Sequence, residues 1–207
     1  MKKVLFITML AFFGMTQAQV TFKPGLRAGV NLSHFTKGDD YDNYYYDNNG
    51  NYVSGNGIDY NSKTDFYLGF YGALHLTKYY TLQPEIDYSR QGAVFNGNDG
   101  IGNRDLNVSY LSIAIANKFT FSDKFNVHIG PTVEFVVEND FDVENEIDFA
   151  FFLGAGYNFT KNFGIEARVK KGIIPVVDGN NDGYYYSDSN HTNVVFSLGA
   201  TYTFDLK

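Results

Sequence analysis

The sequence predicts an all-β chain closed as an eight-stranded antiparallel up-and-down barrel, and three observations predict it. Apolar and polar residues alternate with period two in eight separate stretches. Short turns that resemble one another alternate with long polar loops. The composition suits strands, with 17 Tyr, 20 Phe and 21 Gly among 207 residues. Aromatic side chains fit a pleated surface, whereas Gly weakens helix interiors.

The first segment is an address rather than a strand. Lys2 and Lys3 precede an apolar run from Val4 to Met15, and small residues Thr16 and Ala18 stand at the −3 and −1 positions before Gln19. Residues 1–18 are expected to be a cleaved Sec-type signal peptide. The apolar run is shorter than the ~20 residues that a spanning helix needs. Residues 19–207 then form one domain.

Strands are expected at 22–35, 64–77, 80–95, 106–121, 125–138, 146–159, 163–175 and 192–206. In the first, Val30 and Leu32 alternate with Arg27, Gly29 and Asn31. In the second, Phe66, Leu68 and Phe70 alternate with Tyr67, Gly69 and Tyr71. The third places Gln83, Glu85, Asp87 and Gln91 on one face, and the fourth places Ser112, Ala114, Ala116 and Lys118 there. The fifth sets Val127, Ile129 and Val133 against Asn126, His128 and Glu134. The sixth sets Phe149, Phe151 and Leu153 against Asp148, Gly154 and Gly156. The seventh gathers Glu166, Arg168 and Lys170, and the eighth sets Phe196, Leu198 and Tyr202 against Ser197, Gly199 and Thr201. Each is long enough for the ~9–11 tilted residues that cross a bilayer.

The connections carry their own pattern. LTKYY at 76–80, FSDKF at 121–125 and FTKNF at 159–163 are short turns flanked by aromatics. The loops at about 36–63, 96–105, 139–145 and 176–191 are longer and polar. Short turns on one rim and long loops on the other are the pattern of an outer-membrane barrel. An even strand number then puts both termini on the short-turn, periplasmic rim.

The same periodicity fits a soluble barrel with an apolar inside, so the contents of the polar face decide the solvent. That face mixes charges of both signs with Gly and Ala, which suits a narrow interior filled by side chains. The opposite face is Phe, Leu, Ile and Val, ending at the turns in Tyr79, Tyr80, Phe121, Phe125, Phe159 and Phe163. Such a girdle belongs at a membrane interface. The expectation is therefore a transmembrane β-barrel. Fifteen of the 23 Asp and Glu residues lie in or beside the long loops, against Lys37, Lys63 and Arg104. Acidity is a property of one rim.

Several classes are excluded. Without cysteine there is no disulfide, thiolate metal site or lipid-modified N-terminal cysteine. A net charge of −7 argues against nucleic acid, whose phosphates require clustered Lys and Arg.

The opening KPGLRAGVNLSHF at 23–35, the hairpin TKYYTLQPEIDYS at 77–89 and the closing FSLGATYTFDL at 196–206 resemble the PorT-type outer-membrane β-barrel domain family. That resemblance covers residues 20–207 and implies an eight-stranded outer-membrane barrel of a Gram-negative bacterium, of the OmpA/OmpX kind. It implies no activity, and no residue here carries the secretion role of the founding member.

Candidate sites follow from the barrel. Arg27, Lys118, Arg168 and Lys170 are expected to meet Glu85, Asp87, Glu134 and Glu166 in the lumen, because an unpaired buried charge costs several kcal/mol. Such a network plugs a narrow barrel and fixes strand register; the alternative is a path for ions or small solutes. In the last loop Asp178, Asn180 and Asp182 match the first half of an EF-hand-like calcium loop. Ser189 occupies position twelve, where a bidentate Glu is needed, so any Ca²⁺ binding is weak. Glu138, Asp140, Asp142, Glu144 and Glu146 offer cation bridges to lipopolysaccharide or a plain solvated charge run. Tyr44, Tyr45 and Tyr46, and Tyr184, Tyr185 and Tyr186, sit among Asp, Asn, Ser and Gly, a composition suited to adhesive contact.

No cofactor and no enzymatic activity is expected. His34 and His191 lack a nucleophile-elbow glycine pattern or a paired metal-ligand spacing, and His75 and His128 fall on the inward face. A lipid-modifying enzyme is the third reading, behind a loop-displaying structural or interaction protein and a small-solute channel. The expected partners are outer-membrane lipid, lipopolysaccharide and an extracellular ligand or protein met by the loops.

Overall fold

A computed structural model describes residues 20–36, 43–46, 52–55, 60–95, 104–141, 143, 145–176 and 191–205. Eight strands close one barrel: β1 (Thr21–Phe35), β4 (Tyr60–His75), β5 (Tyr80–Phe95), β6 (Arg104–Thr120), β7 (Phe125–Asn139), β8 (Ile147–Asn158), β9 (Phe163–Gly172) and β10 (Asn193–Thr203). Each pairs antiparallel with its neighbour in sequence, and β1 closes the ring against β10, with Arg27 opposite Thr201. Two further strands, β2 (Asn43–Tyr46) and β3 (Tyr52–Gly55), form a separate hairpin within the first long loop. That hairpin was not expected, because its Tyr- and Asn-rich residues show no alternation to announce it.

The three short turns are built alike. Thr77 Oγ1 accepts from the N–H groups of Tyr79 and Tyr80 at 3.2 and 3.0 Å. Ser122 Oγ does the same for Lys124 and Phe125, and Thr160 Oγ1 for Asn162 and Phe163. One hydroxyl in each turn thus satisfies two backbone donors that the hairpin leaves free, which explains the repeated Thr or Ser. The start of β1 and the residues just after β10 meet on this same rim, where Lys23 Nζ lies 2.7 Å from Asp205 Oδ1.

The strand bounds differ from expectation mainly toward the long-loop rim. β4 starts at Tyr60 rather than at 64, and β9 stops at Gly172 rather than at 175. Irregularities gather there too. The β4–β5 register shifts between Ser62 and Tyr67, and the β6–β7 register shifts between Ser109 and Tyr110. Gly92 takes a φ of 146°, a conformation side chains avoid, and a Cβ there would meet Leu106 O at 1.9 Å. Bulges bend strands at barrel rims.

Sidedness is the inverse of a soluble protein. The outward face exposes Leu68, Phe70, Ile113, Ile129, Phe151, Leu198 and their neighbours, with Phe70 at 66%. Arg27, Glu85, Asp87, His128, Glu134, Glu166 and Arg168 are buried. An apolar surface this continuous far exceeds the few hundred Å² that a monomer shows to water. It faces acyl chains, and the soluble alternative fails. Aromatic pairs ring the short-turn end, among them Tyr80–Phe119 at 5.4 Å and Tyr157–Phe159 at 5.2 Å.

Small inward residues make room for larger ones on nearby strands. A Cβ on Gly199 would lie 2.1 Å from the Tyr67 hydroxyl, and one on Gly69 would lie 1.8 Å from Asp87 Oδ1.

Candidate functional site

The lumen is layered from the short-turn end to the long-loop end. Its central layer joins three strands that do not all touch. Arg27 of β1 reaches Glu85 at 2.6 Å and Asp87 at 2.8 Å, both on β5, and Glu166 of β9 at 2.6 Å. Arg168 of β9 crosses the barrel to grip both Glu85 oxygens, at 2.6 and 2.8 Å, and also bonds Glu166. The fork-to-fork geometry is the strong form of a charged pair. Gln83 donates to Glu85 at 2.7 Å, and Arg27 lies over the Tyr67 ring at 4.9 Å.

His128 completes the layer. Its Nε2 accepts from Arg168 Nε at 3.0 Å, which requires a neutral ring with its proton on Nδ1, facing Asn126 Oδ1 at 3.2 Å. The Phe152 ring lies 4.7 Å from the Arg168 guanidinium.

A second layer surrounds Glu134. Lys170 Nζ bonds both its oxygens, at 2.6 and 2.5 Å, while Ser112 donates at 2.5 Å and Gln91 at 3.2 Å. Asp148, directly opposite Glu134 on β8, accepts from the Ile174 N–H at 3.2 Å. Towards the loops follows a neutral layer: Asn31 bonds Ser89 and Ser197, Asn193 bonds Gln91, and Ser33 Oγ both donates to and accepts from the Gly92 backbone.

The long-loop mouth is closed by an apolar cluster of Phe35, Ala93, Leu106 and Val176, against which Phe141 and Val143 pack. Phe35 and Phe141 meet edge to face at 6.1 Å. Below it a cavity of about 50 Å³ is bounded by Arg27, Asn31, Asp87, Glu134 and Lys170. That volume holds a few waters.

Seven of the eight residues expected to form the charge network do pair: Arg27, Glu85, Asp87, Glu134, Glu166, Arg168 and Lys170. Lys118 differs. It is inward and half-buried, 5.9 Å above the Tyr71 ring, and makes no ion pair among the described residues. Its strand position places it beside His128, on the short-turn side of the carboxylates.

Sequence reasoning missed the apolar mouth. Phe35, Leu106 and Val108 share the parity of the inward polar residues, and that parity was the available signal. It also gave His128, Tyr67 and Asp148 no place in the network.

Asp178, Asn180 and Asp182 lie outside the described residues, as do Asp142, Glu144 and Tyr184 to Tyr186. Tyr44 to Tyr46 form strand β2. Asp140 is tied locally, accepting from Asn107 N at 2.7 Å and Asn107 Nδ2 at 2.5 Å. His191 is buried, its Nδ1 2.7 Å from Thr36 O, whereas His34 is half-buried on the outward face. At the opposite rim, the bonds from Lys23 and Asn162 hold the Asp205 carboxyl below its ordinary range.

A family model described as outer membrane protein beta-barrel domain matches residues 17–178. Among solved structures, Neisserial surface protein A is similar with a TM-score of 0.53 at 14% identity, covering 87% of this chain and 97% of that one. The outer membrane protein AlkL, determined in lipid bilayers, is similar with a TM-score of 0.51 at 16% identity, covering 89% and 92%. The attachment invasion locus protein Ail of Yersinia pestis gives 0.46 at 13% identity, covering 88% and 98%. At these identities the likeness is one of fold. No functionally curated protein matches the sequence.

Proposed function

The chain belongs to the outer membrane protein β-barrel domain family, and we propose that it is a non-conducting anchor whose long loops do its work at the cell surface. The observation that carries this reading is the closed lumen: cross-barrel ion pairs in the centre and an apolar cluster over the mouth leave a cavity of about 50 Å³. A conducting pore needs a continuous wet path, and the paired charges and the apolar cluster stand across it among the described residues. The long-loop rim is extracellular and both termini are periplasmic, in keeping with the short turns and even strand count. Residues 1–18 act as the export signal.

The acidic, Tyr- and Asn-rich loops then present a surface for an extracellular ligand or protein. Tyr in a setting of Ser, Asn and Gly gives large contact area at low conformational cost. The PorT-type assignment within the family rests on the opening, hairpin and closing motifs. No catalytic role is proposed; His191 Nδ1 is bonded to the Thr36 backbone carbonyl.

Single-channel recording of the full chain in a planar bilayer tests this reading. A silent bilayer, with the folded barrel verified by heat-modifiable gel migration, is expected. Discrete openings that vanish in Arg168→Ala or Glu134→Ala would establish the channel reading instead.

A further inference from the structure

Lys171 is out of place on the lipid side. The outward faces of β8, β9 and β10 carry Phe, Leu, Ile, Val, Ala and Tyr, and Lys171 is the single charge among them. It is exposed, paired across the strands with Phe151 and Val194, and has no ion partner among the described residues. A cation in an acyl-chain environment is unfavourable unless its stem lies along apolar surface and its ammonium reaches headgroups.

The surroundings supply more than a route to water. β9 ends one residue later, at Gly172, and the departing chain leaves an outward groove of about 420 Å³ lined by Phe151, Lys171, Gly172, Ile173 and Thr192. Phe151 and Ile173 are each 57% exposed and form its apolar wall, with Thr192 half-buried at its polar end. The volume lies in the range of small-molecule sites. An apolar wall beside one cation that has no ion partner among the described residues complements an amphiphile carrying a phosphate.

We propose that this groove seats a phosphorylated glycolipid of the outer leaflet, with the phosphate on Lys171 and an acyl chain along Phe151 and Ile173. The choice of leaflet rests on the orientation proposed above, since the groove lies at the long-loop end of β9.

The test uses the full folded chain in zwitterionic nanodiscs, titrated with diphosphoryl lipid A, its dephosphorylated form or phosphatidylglycerol, with bound lipid counted by native mass spectrometry. Lys171→Ala should weaken diphosphoryl lipid A about fivefold, the loss expected for one Lys at an anionic lipid surface. Lys171→Glu should weaken it further, while Lys161→Ala, on the short-turn rim, should change nothing. Equal binding by wild type and Lys171→Ala, or equal binding of the dephosphorylated lipid, would overturn the site. Phosphatidylglycerol binding as tightly as lipid A, and lost equally in Lys171→Ala, would overturn the glycolipid. Protease accessibility of the long loops on intact cells checks orientation separately, so a wrong leaflet and a wrong site give different results. Heat-modifiable migration of each variant verifies that it is folded.

Discussion

The centre of the lumen and its mouth close the same barrel by opposite means. The centre is made by strand residues alone: Arg27, Glu85, Asp87, Glu166 and Arg168 come from β1, β5 and β9, and their charges clasp across the barrel. The mouth draws on Val176, Phe141 and Val143, which lie beyond strand ends, and closes by apolar contact. The difference separates what holds the fold from what covers it. The charged layer fixes strand register, because each guanidinium is satisfied only in one alignment. The apolar layer is non-directional and sets no single alignment.

The largest effect should come from splitting the charged layer. Arg168→Ala leaves Glu85 buried with one of its two guanidinium partners gone, and loss of one partner of a buried pair costs about 3–5 kcal/mol. Urea unfolding in lipid vesicles measures this. If the loss is small, the pairs are ornaments on a barrel held by its outer face. Phe35→Ala, at the mouth, removes an aromatic clustered with Ala93, Leu106, Val176 and Phe141, and should cost about 3 kcal/mol, the lower end for a Phe truncation. A larger loss than that of Arg168→Ala would reverse the ranking of the two layers.

Thr160→Ala sharpens the comparison at the other rim. It strips the acceptor of two backbone donors in an exposed turn and should cost about 1 kcal/mol, the net value of one hydrogen bond. The smallest effect concerns Asp205. Its folded carboxyl is held below the ordinary range by Lys23 and Asn162, so the contact stabilises above the unfolded value and is lost as pH falls through the folded one. Acid titration of wild type against Asp205→Asn should therefore show curves that differ near neutrality and converge in acid. A difference that grows in acid would contradict the assignment.

Much of this was legible because period two is unforgiving. In β7, the alternation of Phe125, Val127 and Ile129 with Asn126, His128 and Gly130 gives the strand, and the polar and small contents of the second set give its inward face. The repeated Thr or Ser of the turns likewise had one use. The partners within the lumen were not legible. Lys118 and Lys170 look alike in sequence, yet Lys170 meets Glu134 while Lys118 sits on the short-turn side, because strand tilt and stagger set which inward residues share a level. The apolar mouth was hidden for a related reason. Phe35 and Leu106 keep the inward parity, but an apolar residue there reads as an error in the pattern until Val176 and Phe141 are brought against it.

The account depends above all on which face of each strand meets lipid, and the absence of cysteine makes that directly measurable. Single substitutions Leu68→Cys and Ser112→Cys place a thiol on the outward and inward faces. After labelling with an environment-sensitive fluorophore in the unfolded state and refolding into vesicles of brominated lipid, the probe at 68 should be strongly quenched. The probe at 112 should either block folding or escape quenching. Quenching at 112 with none at 68 would turn the barrel inside out and contradict the account.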